Sequence, residues 1–207
     1  MAEKHPTQAA LIRTAMRLFA EKGYNSTSVA DILKEAKVHS GSLYHYFETK
    51  QALLISVLES YRDGIEAMLI APAWAGVTDP CDRVFALLAR YRQLLVATEC
   101  QYGCPIGNLA LEIHEPDPAV RKLLAANFDQ WTLFVKRCFD SAHLHLPPST
   151  STQALATFVL TTMEGGVMLS RTHRTLEHFD NAISALRDYV SRLKRPVSKT
   201  QKQKRIK

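Results

Sequence analysis

Apolar side chains recur at helical spacing along nearly the whole chain. Leu11, Ile12, Ala15 and Phe19 share one helical face, and comparable stripes follow further on. We find neither the alternation of a half-buried strand nor an internal repeat. The pattern therefore predicts an all-α fold of about nine helices, which we expect near residues 6–22, 27–35, 39–47, 49–71, 81–98, 108–112, 118–142, 151–174 and 177–194. The break before the sixth of these helices covers 101–107, although Pro105 would also fit its first position.

Breaks in this pattern coincide with residues that end or cap helices. Gly23 is expected to end the first helix, and Pro72 to end the long fourth helix and to begin a loop at 72–80. Asp117 is expected to cap the helix that follows it. The breaks predict a DNA-binding domain at 1–50, a helical bundle for ligand binding and dimerisation at 51–194, and a basic disordered tail at 195–207.

Residues 27–50 have the spacing of two short helices joined by a tight turn at Lys37 and Val38. In the second of these helices, Leu43 and Phe47 lie four positions apart and are expected to anchor it, while polar side chains point outward. A short anchored helix with an exposed polar face is what a reader of the DNA major groove needs. The sequence therefore predicts a helix-turn-helix that binds double-stranded DNA.

The net charge of +6 is concentrated at the C-terminus. Residues 195–207 contain six Lys or Arg and no acidic residue, which leaves 20 basic and 20 acidic residues in 1–194. The tail is either a solubilising end or a non-specific phosphate-binding arm, and both interpretations stay open. An architectural DNA protein without sequence preference is disfavoured, because such proteins depend on a strongly basic body.

The chain lacks the features of several other classes. No apolar stretch is long enough to span a membrane and the N-terminus has no secretory signal, so we expect a cytoplasmic protein without membrane association. The four cysteines, at 81, 100, 104 and 138, match neither a zinc site nor a disulfide framework. We find no catalytic motif, so we expect no enzymatic activity, metal or cofactor, with a helical-bundle enzyme as a less favoured alternative.

One family has the same residues at the same spacing. The positions that carry the resemblance are Gly23-Tyr24, Thr27-Ser28, Asp31-Ile32, Ala36, Val38, Ser40 to Tyr44, Tyr46-Phe47, Lys50 and Leu53-Leu54. This pattern resembles the TetR family of transcriptional regulators. Gly103 to Asn108 (GCPIGN) and Glu164 to Gly166 are similar to segments of a subset of that family. Lys37 departs from the family pattern, which commonly has Gly in the turn, and a positive φ there would strain a non-glycine residue.

The resemblance implies a homodimer that binds a palindromic operator and is released by a small-molecule effector bound in the C-terminal bundle. Repression is the expected effect, with activation left open. The DNA contacts implied by the resemblance are Thr27, Ser28, His39, Ser40, Gly41, Ser42, Tyr44, His45, Tyr46 and Lys50. Lys37, which departs from the family pattern, could add a phosphate contact. Packing within the domain is the alternative role for the aromatic residues, and it weighs more for Tyr44 than for Tyr46.

Candidate effector-binding residues are polar or bulky side chains on the later helices. Most of the apolar ones could equally be plain core, whereas buried polar groups need partners and discriminate better. The candidates are Met68, Phe85, Tyr91, Cys104, Asn108, His114, Phe128, Trp131, Met163, Glu164 and Met168. Arg171 and Arg174 could bind an anionic effector or equally form surface ion pairs.

Two features suggest further roles. Cys104 precedes Pro105 and is expected to cap a helix, where the helix dipole favours a thiolate; an electrophile- or redox-sensing repressor is therefore an alternative, against the simpler role of a small buried residue. Gly165 and Gly166 within a helical pattern indicate close helix approach or a bend. Dimerisation is assigned to the last two helices because their apolar faces exceed what one bundle needs.

Overall fold

The computed structural model describes residues 5–142 and 146–194 of the 207-residue chain. All regular structure in these two ranges is helical, which confirms the predicted fold class. The elements are α1 (Pro6–Lys22), α2 (Val29–Ala36), α3 (Ser40–Tyr46), α4 (Lys50–Ile65), a π-helix (Glu66–Ile70), α5 (Ala71–Trp74), α6 (Pro80–Ala97), α7 (Pro105–Glu112), α8 (Pro118–Ser141), α9 (Thr152–His173) and α10 (Glu177–Leu193). The basic tail predicted at 195–207 lies outside the described residues.

Local side chains determine most helix starts. Thr49, Asp79 and Ser151 each accept a hydrogen bond from a backbone N–H of the first turn, at 3.0, 2.9 and 3.2 Å respectively. These bonds satisfy N–H groups that have no partner within the helix. Gly23 ends α1 as predicted, with φ +89° and its N–H bonded to the Phe19 carbonyl. Such caps depend on adjacent residues only, which is why the helix boundaries could be predicted closely.

The prediction that Pro72 ends the fourth helix at residue 71 is wrong. The chain stays helical through the π-turn at Glu66–Ile70 and on to Trp74, so the loop is shorter than the predicted 72–80. Pro72 lies in the first turn of α5, where a proline gives up no helical hydrogen bond. The π-turn shifts the hydrogen-bonding register before that point. If α4, the π-helix and α5 are counted as one helix, the described part of the chain contains nine helices, as predicted.

The described helices divide into two compact units, of which the first comprises residues up to Glu66 together with Tyr102–Gln130. In this unit α1 packs against α2, α3, α4 and α7. Ile106 and Leu109 from α7 and Val120 and Leu124 from α8 are buried in the same core as the side chains of α1 to α4. The compact units therefore do not coincide with the domain boundary predicted at residue 50, because residues of α7 and α8 pack in the same core as the N-terminal helices.

The second unit comprises Ala67–Gln101 and the residues from Trp131 onward. There α9 packs against α10, and both helices contact α6. Ser170 is fully buried, and its hydroxyl oxygen accepts a hydrogen bond from the Phe179 N–H at 3.1 Å. Arg174 donates to the carbonyl of Cys100 at 2.7 Å. Over the described ranges, no helix combines the length and apolar character that crossing a membrane requires.

Candidate DNA-binding surface

The first helix of the motif starts at a reciprocal cap. The Ser28 hydroxyl oxygen accepts from the Asp31 N–H at 3.1 Å, and the Asp31 carboxylate accepts from the Ser28 N–H at 2.9 Å and hydroxyl at 2.6 Å. The hydrogen bond from the Ser28 hydroxyl lowers the pKa of Asp31 most, and the bond from the Ser28 N–H lowers it further. The arrangement fixes where α2 begins, and Ser28 itself stays exposed.

Thr27 has a different environment from its neighbour. Its side chain is fully buried, and its hydroxyl donates to the carbonyls of Gly23 at 2.7 Å and Leu18 at 3.3 Å. The hydroxyl thus ties the end of α1 to the start of α2. Its predicted phosphate contact stays a prediction, and the exposed Ser28 is the better placed of the two hydroxyls.

The turn between α2 and α3 has the backbone strain that the sequence led us to expect. Lys37 lies in the left-handed region, with φ 55° and ψ 43°. Its N–H bonds to the carbonyls of Leu33 and Lys34, and the Val38 N–H bonds to the Leu33 carbonyl at 3.1 Å. These bonds compensate the cost of positive φ in a non-glycine residue. They also leave the Lys37 side chain exposed beside the start of α3.

The short helix α3 is held by the two predicted anchors. Leu43 is 1% and Phe47 3% exposed, and both belong to the core of the first unit. Apart from the half-buried Ser42, the predicted reading positions at its start are exposed: His39, Ser40 and Gly41. No described heavy atom lies within 4 Å of where a Cβ on Gly41 would stand. Internal packing therefore does not require glycine at this position.

The two tyrosines of α3 differ from the expectation: Tyr44 is exposed and Tyr46 is half-buried. Tyr44, the stronger candidate for packing, is 57% exposed. Tyr46 is half-buried and stacks on His5 with a centroid distance of 5.6 Å, and it also contacts His45 and Phe47. Packing within the domain therefore describes Tyr46 better than Tyr44, the reverse of the expectation, because His5 at the start of α1 lies against Tyr46.

Lys50 and Glu112 hold the connection before α2. The Lys50 ammonium donates to the Tyr24 carbonyl and lies 4.2 Å from the centre of the Tyr24 ring. Burial lowers the pKa of Lys50, and the nearby Glu112 carboxylate opposes that effect. The phosphate contact of Lys50 stays a prediction. Sequence reasoning missed Glu112, since no local pattern links it to a turn some 87 residues earlier.

The candidate effector-binding residues are distributed over both units. Cys104, Asn108, His114 and Phe128 belong to the first unit, and the remaining candidates to the second. His114 is exposed, as are Met68 at 49% and Met168 at 50%. Among the apolar candidates, Met163 is fully buried and Phe85 is 5% exposed, beneath the guanidinium of Arg187.

Tyr91 and Trp131 are brought together within the second unit. Their rings meet edge to face with centroids 6.3 Å apart. Trp131 is 3% exposed, and its indole N–H has no hydrogen-bond partner among the described residues. A buried donor without a partner is uncommon in native proteins.

Cys104 caps α7, as predicted. Its Sγ accepts a hydrogen bond from the Gly107 N–H at 3.5 Å, and the side chain is half-buried. Burial, together with nearby Cys104, raises the pKa of Tyr61 to about 12. Cys100 is buried and belongs to the other unit. The sensing alternative for Cys104 stays a prediction.

Two family models match the chain. A model of tetR family bacterial regulatory proteins matches residues 11–57, and a model of the LmrA/YxaF-like transcriptional regulator C-terminal domain matches residues 80–185. This chain belongs to the TetR family of transcriptional regulators. The first match covers α2, α3 and their turn, which confirms the resemblance that these residues carry. Proteins of this family are DNA-binding regulators.

Similar proteins cover most of the chain. An uncharacterised helix-turn-helix regulator of Mycobacterium tuberculosis is 28% identical over 87% of this chain and 92% of its own length. The transcriptional repressor DhaR of a Mycobacterium species is 26% identical over 87% of this chain and 90% of its own. The crystal structure of a TetR regulatory protein from Rhodobacter sphaeroides superposes with a TM-score of 0.79 and 25% identity, covering 88% of this chain and 97% of that one.

Proposed function

We propose that this TetR-family regulator is a homodimeric repressor that binds a palindromic operator and is released from it by a small molecule. The exposed polar face of α3, anchored by Leu43 and Phe47, is the observation that carries the proposal. It has the dimensions and chemistry of a helix that enters a major groove. Repression rather than activation is supported by the similar DhaR protein, which is named a transcriptional repressor.

DNA contacts in this proposal fall into two kinds. Ser28, with the free N–H groups at the start of α2, and Lys37 bind phosphates and fix the orientation of the motif. His39, Ser40 and Tyr44 reach base edges or thymine methyl groups, and Gly41 lets the α3 backbone approach the DNA. Among the other predicted contacts, Ser42, His45, Tyr46 and Lys50 would lie at the margin of this surface. The fully buried Thr27 would act by holding the start of α2.

The dimer in this proposal forms through α9 and α10. Phe158 and Tyr189 are 45% and 48% exposed and meet edge to face at 5.6 Å. They line a groove of about 880 Å³ together with Ala154, Thr162, Ala182 and Ala185. Small residues around two large exposed rings allow the same face of a second copy to interdigitate. Large exposed apolar patches on soluble proteins commonly mark such interfaces.

The effector in this proposal contacts the Trp131 N–H. Since that donor is buried without a partner, a ligand oxygen or nitrogen acceptor would satisfy it. The edge of Tyr91 beside it favours an aromatic or otherwise apolar ligand body. We therefore expect an effector with an apolar body and at least one hydrogen-bond acceptor.

Selection of bound duplexes from a random pool tests the function. We expect enrichment of a palindrome whose half-sites lie about one helical turn apart, roughly 34–36 Å. A compound library is then screened for release of the protein from that duplex. Absence of an enriched sequence, together with a steep salt dependence, would instead indicate non-specific phosphate binding.

A further inference from the structure

The short connection between α1 and α2 is held from outside the motif by the last residue of α7. One carboxylate oxygen of Glu112 accepts from the Tyr24 N–H at 2.8 Å, and the other accepts from the Asn25 N–H at 2.6 Å. Both bonds are made by a charged acceptor, and bonds of that kind are roughly twice as strong as those between neutral groups. We call residues 23–27 the entry turn, because they lead directly to the capped start of α2.

The same turn is held from its other side by α4. Lys50 donates to the Tyr24 carbonyl, so charged side chains bind both polar groups of this residue. The Thr27 N–H also bonds to the Tyr24 carbonyl, at 3.3 Å, and the Thr27 hydroxyl bonds to the Gly23 carbonyl. A series of hydrogen bonds therefore runs from Glu112 through Tyr24 to Thr27, the residue that directly precedes the N-cap Ser28 of α2.

Gly23 leaves the space that this carboxylate occupies. A Cβ at this position would stand 2.9 Å from both carboxylate oxygens of Glu112. The glycine therefore serves two purposes, since its φ of +89° also ends α1. A turn shaped around a carboxylate indicates that the carboxylate is a built part of it.

Helix α7 is firmly seated where it presents Glu112. Ile106 and Leu109 are buried in the core that contains Leu43 and Phe47, the anchors of α3. The helix that carries Glu112 is thus packed into the same core as α3. This packing sets the distance between Glu112 and the entry turn.

We propose that Glu112 is a positioning residue for DNA recognition, which holds the entry turn so that α2 and α3 are presented to the operator in one geometry. The inference rests on the proposed function. Glu112 touches no DNA in this proposal; it acts through the backbone of Tyr24 and Asn25. Glu112 is the last residue of segment 103–112, which begins with GCPIGN.

The test compares Glu112→Gln with Glu115→Gln. The first substitution keeps the side-chain shape, but its NH₂ group cannot accept the second amide bond. The second removes the same charge from an exposed residue three positions further on. Affinities for the selected operator and for random duplex are measured far below the unfolding temperature, together with exchange of the Tyr24 and Asn25 amide protons by NMR.

For Glu112→Gln we expect operator affinity to fall roughly tenfold or more, random-duplex affinity to stay within about twofold, and both amides to exchange faster. Loss of a negative charge alone would raise both affinities, and a loss of folded protein would lower both. Glu115→Gln should keep the wild-type ratio of operator to random affinity and the wild-type exchange of both amides. If Glu112→Gln does not fold, Glu112→Asp keeps the charge but is one methylene too short to reach both amides, and the same changes are expected.

An unchanged ratio of operator to random affinity, or unchanged amide exchange, overturns the role of Glu112 alone. The same holds if Glu115→Gln alters the ratio equally. If the wild-type protein prefers no duplex, the proposed function fails, and the role of Glu112 in it fails as well. The two failures are therefore distinguished by the behaviour of the wild type.

Discussion

Gly166 lies directly against Phe179, where α9 meets α10. A Cβ on Gly166 would stand 3.2 Å from the Phe179 ring and 3.3 Å from its Cα. Because one of these neighbours is backbone, α10 cannot yield by a simple side-chain rotation. The close approach inferred from the Gly165-Gly166 pair is thus confirmed for Gly166. The adjacent Gly165 has no described atom within 4 Å of its Cβ position.

This difference between neighbouring glycines gives a matched pair of substitutions. Gly166→Ala should destabilise the protein by about 1 kcal/mol, because overpacking outweighs the better helix propensity of alanine. Gly165→Ala should stabilise it by roughly 0.5–1 kcal/mol through propensity alone. Urea unfolding at one fixed protein concentration measures both effects. Equal changes in the two variants would show that the contact with Phe179 carries no cost.

The helical framework could be predicted from sequence because its determinants are local. A cap such as Thr49 or Ser151 is bonded to residues three positions away, and apolar periodicity marks the buried face. The prediction at Pro72 was wrong because a proline disrupts the interior of a helix but is tolerated in a first turn, which is where Pro72 lies in α5. The π-turn that changes the register has no pattern in the sequence.

The parts of the site that sequence reasoning missed depend on contacts between distant segments. Glu112 reaches Tyr24 across 88 positions, and His5 covers Tyr46 from the far end of α1. Neither contact follows from spacing within a motif. By contrast, the anchors Leu43 and Phe47 lie only four positions apart, in α3 and at its C-cap, and the structure confirms both as buried.

The contrast between Tyr44 and Tyr46 leads to a second pair of variants. Tyr44→Ala should lower operator affinity about tenfold, since an exposed contact with DNA is lost, while the free energy of unfolding stays nearly unchanged. Tyr46→Ala should lower the free energy of unfolding by about 1–3 kcal/mol, because stacking on His5 and packing beside Phe47 are lost. Duplex titration and urea unfolding separate the two effects. Loss of stability in Tyr44→Ala without loss of affinity would contradict this assignment.

Asp31 should make α2 sensitive to acid. Its pKa is lowered in the folded protein, so its contribution to stability is present above the unfolded-state pKa of about 3.9 and is lost as pH falls through the lower folded-state pKa. Asp31→Asn should therefore be less stable than the wild type at neutral pH, and the two urea midpoints should converge below about pH 4. The exposed Asp129 offers a control, and Asp129→Asn should follow the wild-type curve. A difference between Asp31→Asn and wild type that does not vary with pH would exclude the titration of this carboxylate as its cause.

Trp131 and Trp74, the two tryptophans of the chain, give a matched test of effector binding. The Trp74 indole donates to the Arg83 carbonyl at 2.9 Å, whereas that of Trp131 is unbonded within the described structure. Trp131→Phe should raise the effector concentration needed for operator release by about 3- to 10-fold, the worth of one hydrogen bond. Trp74→Phe should leave that concentration unchanged. Release curves measured with a compound from the screen decide the matter, and equal shifts in the two variants would remove Trp131 from the effector site.

A charge in the exposed groove of α9 and α10 should separate the subunits. Phe158→Glu would place a carboxylate among apolar side chains of both copies, where burial without a partner is costly. Light scattering after gel filtration should show a monomer at micromolar concentration, with an unchanged helical circular-dichroism spectrum. Operator affinity should fall by about 10²-fold or more, because the two half-sites are no longer bound by linked heads. Thr157→Glu adds the same charge at an exposed neighbour that does not line the groove, and it should stay dimeric. A dimer of undiminished stability in Phe158→Glu would place the interface on another face.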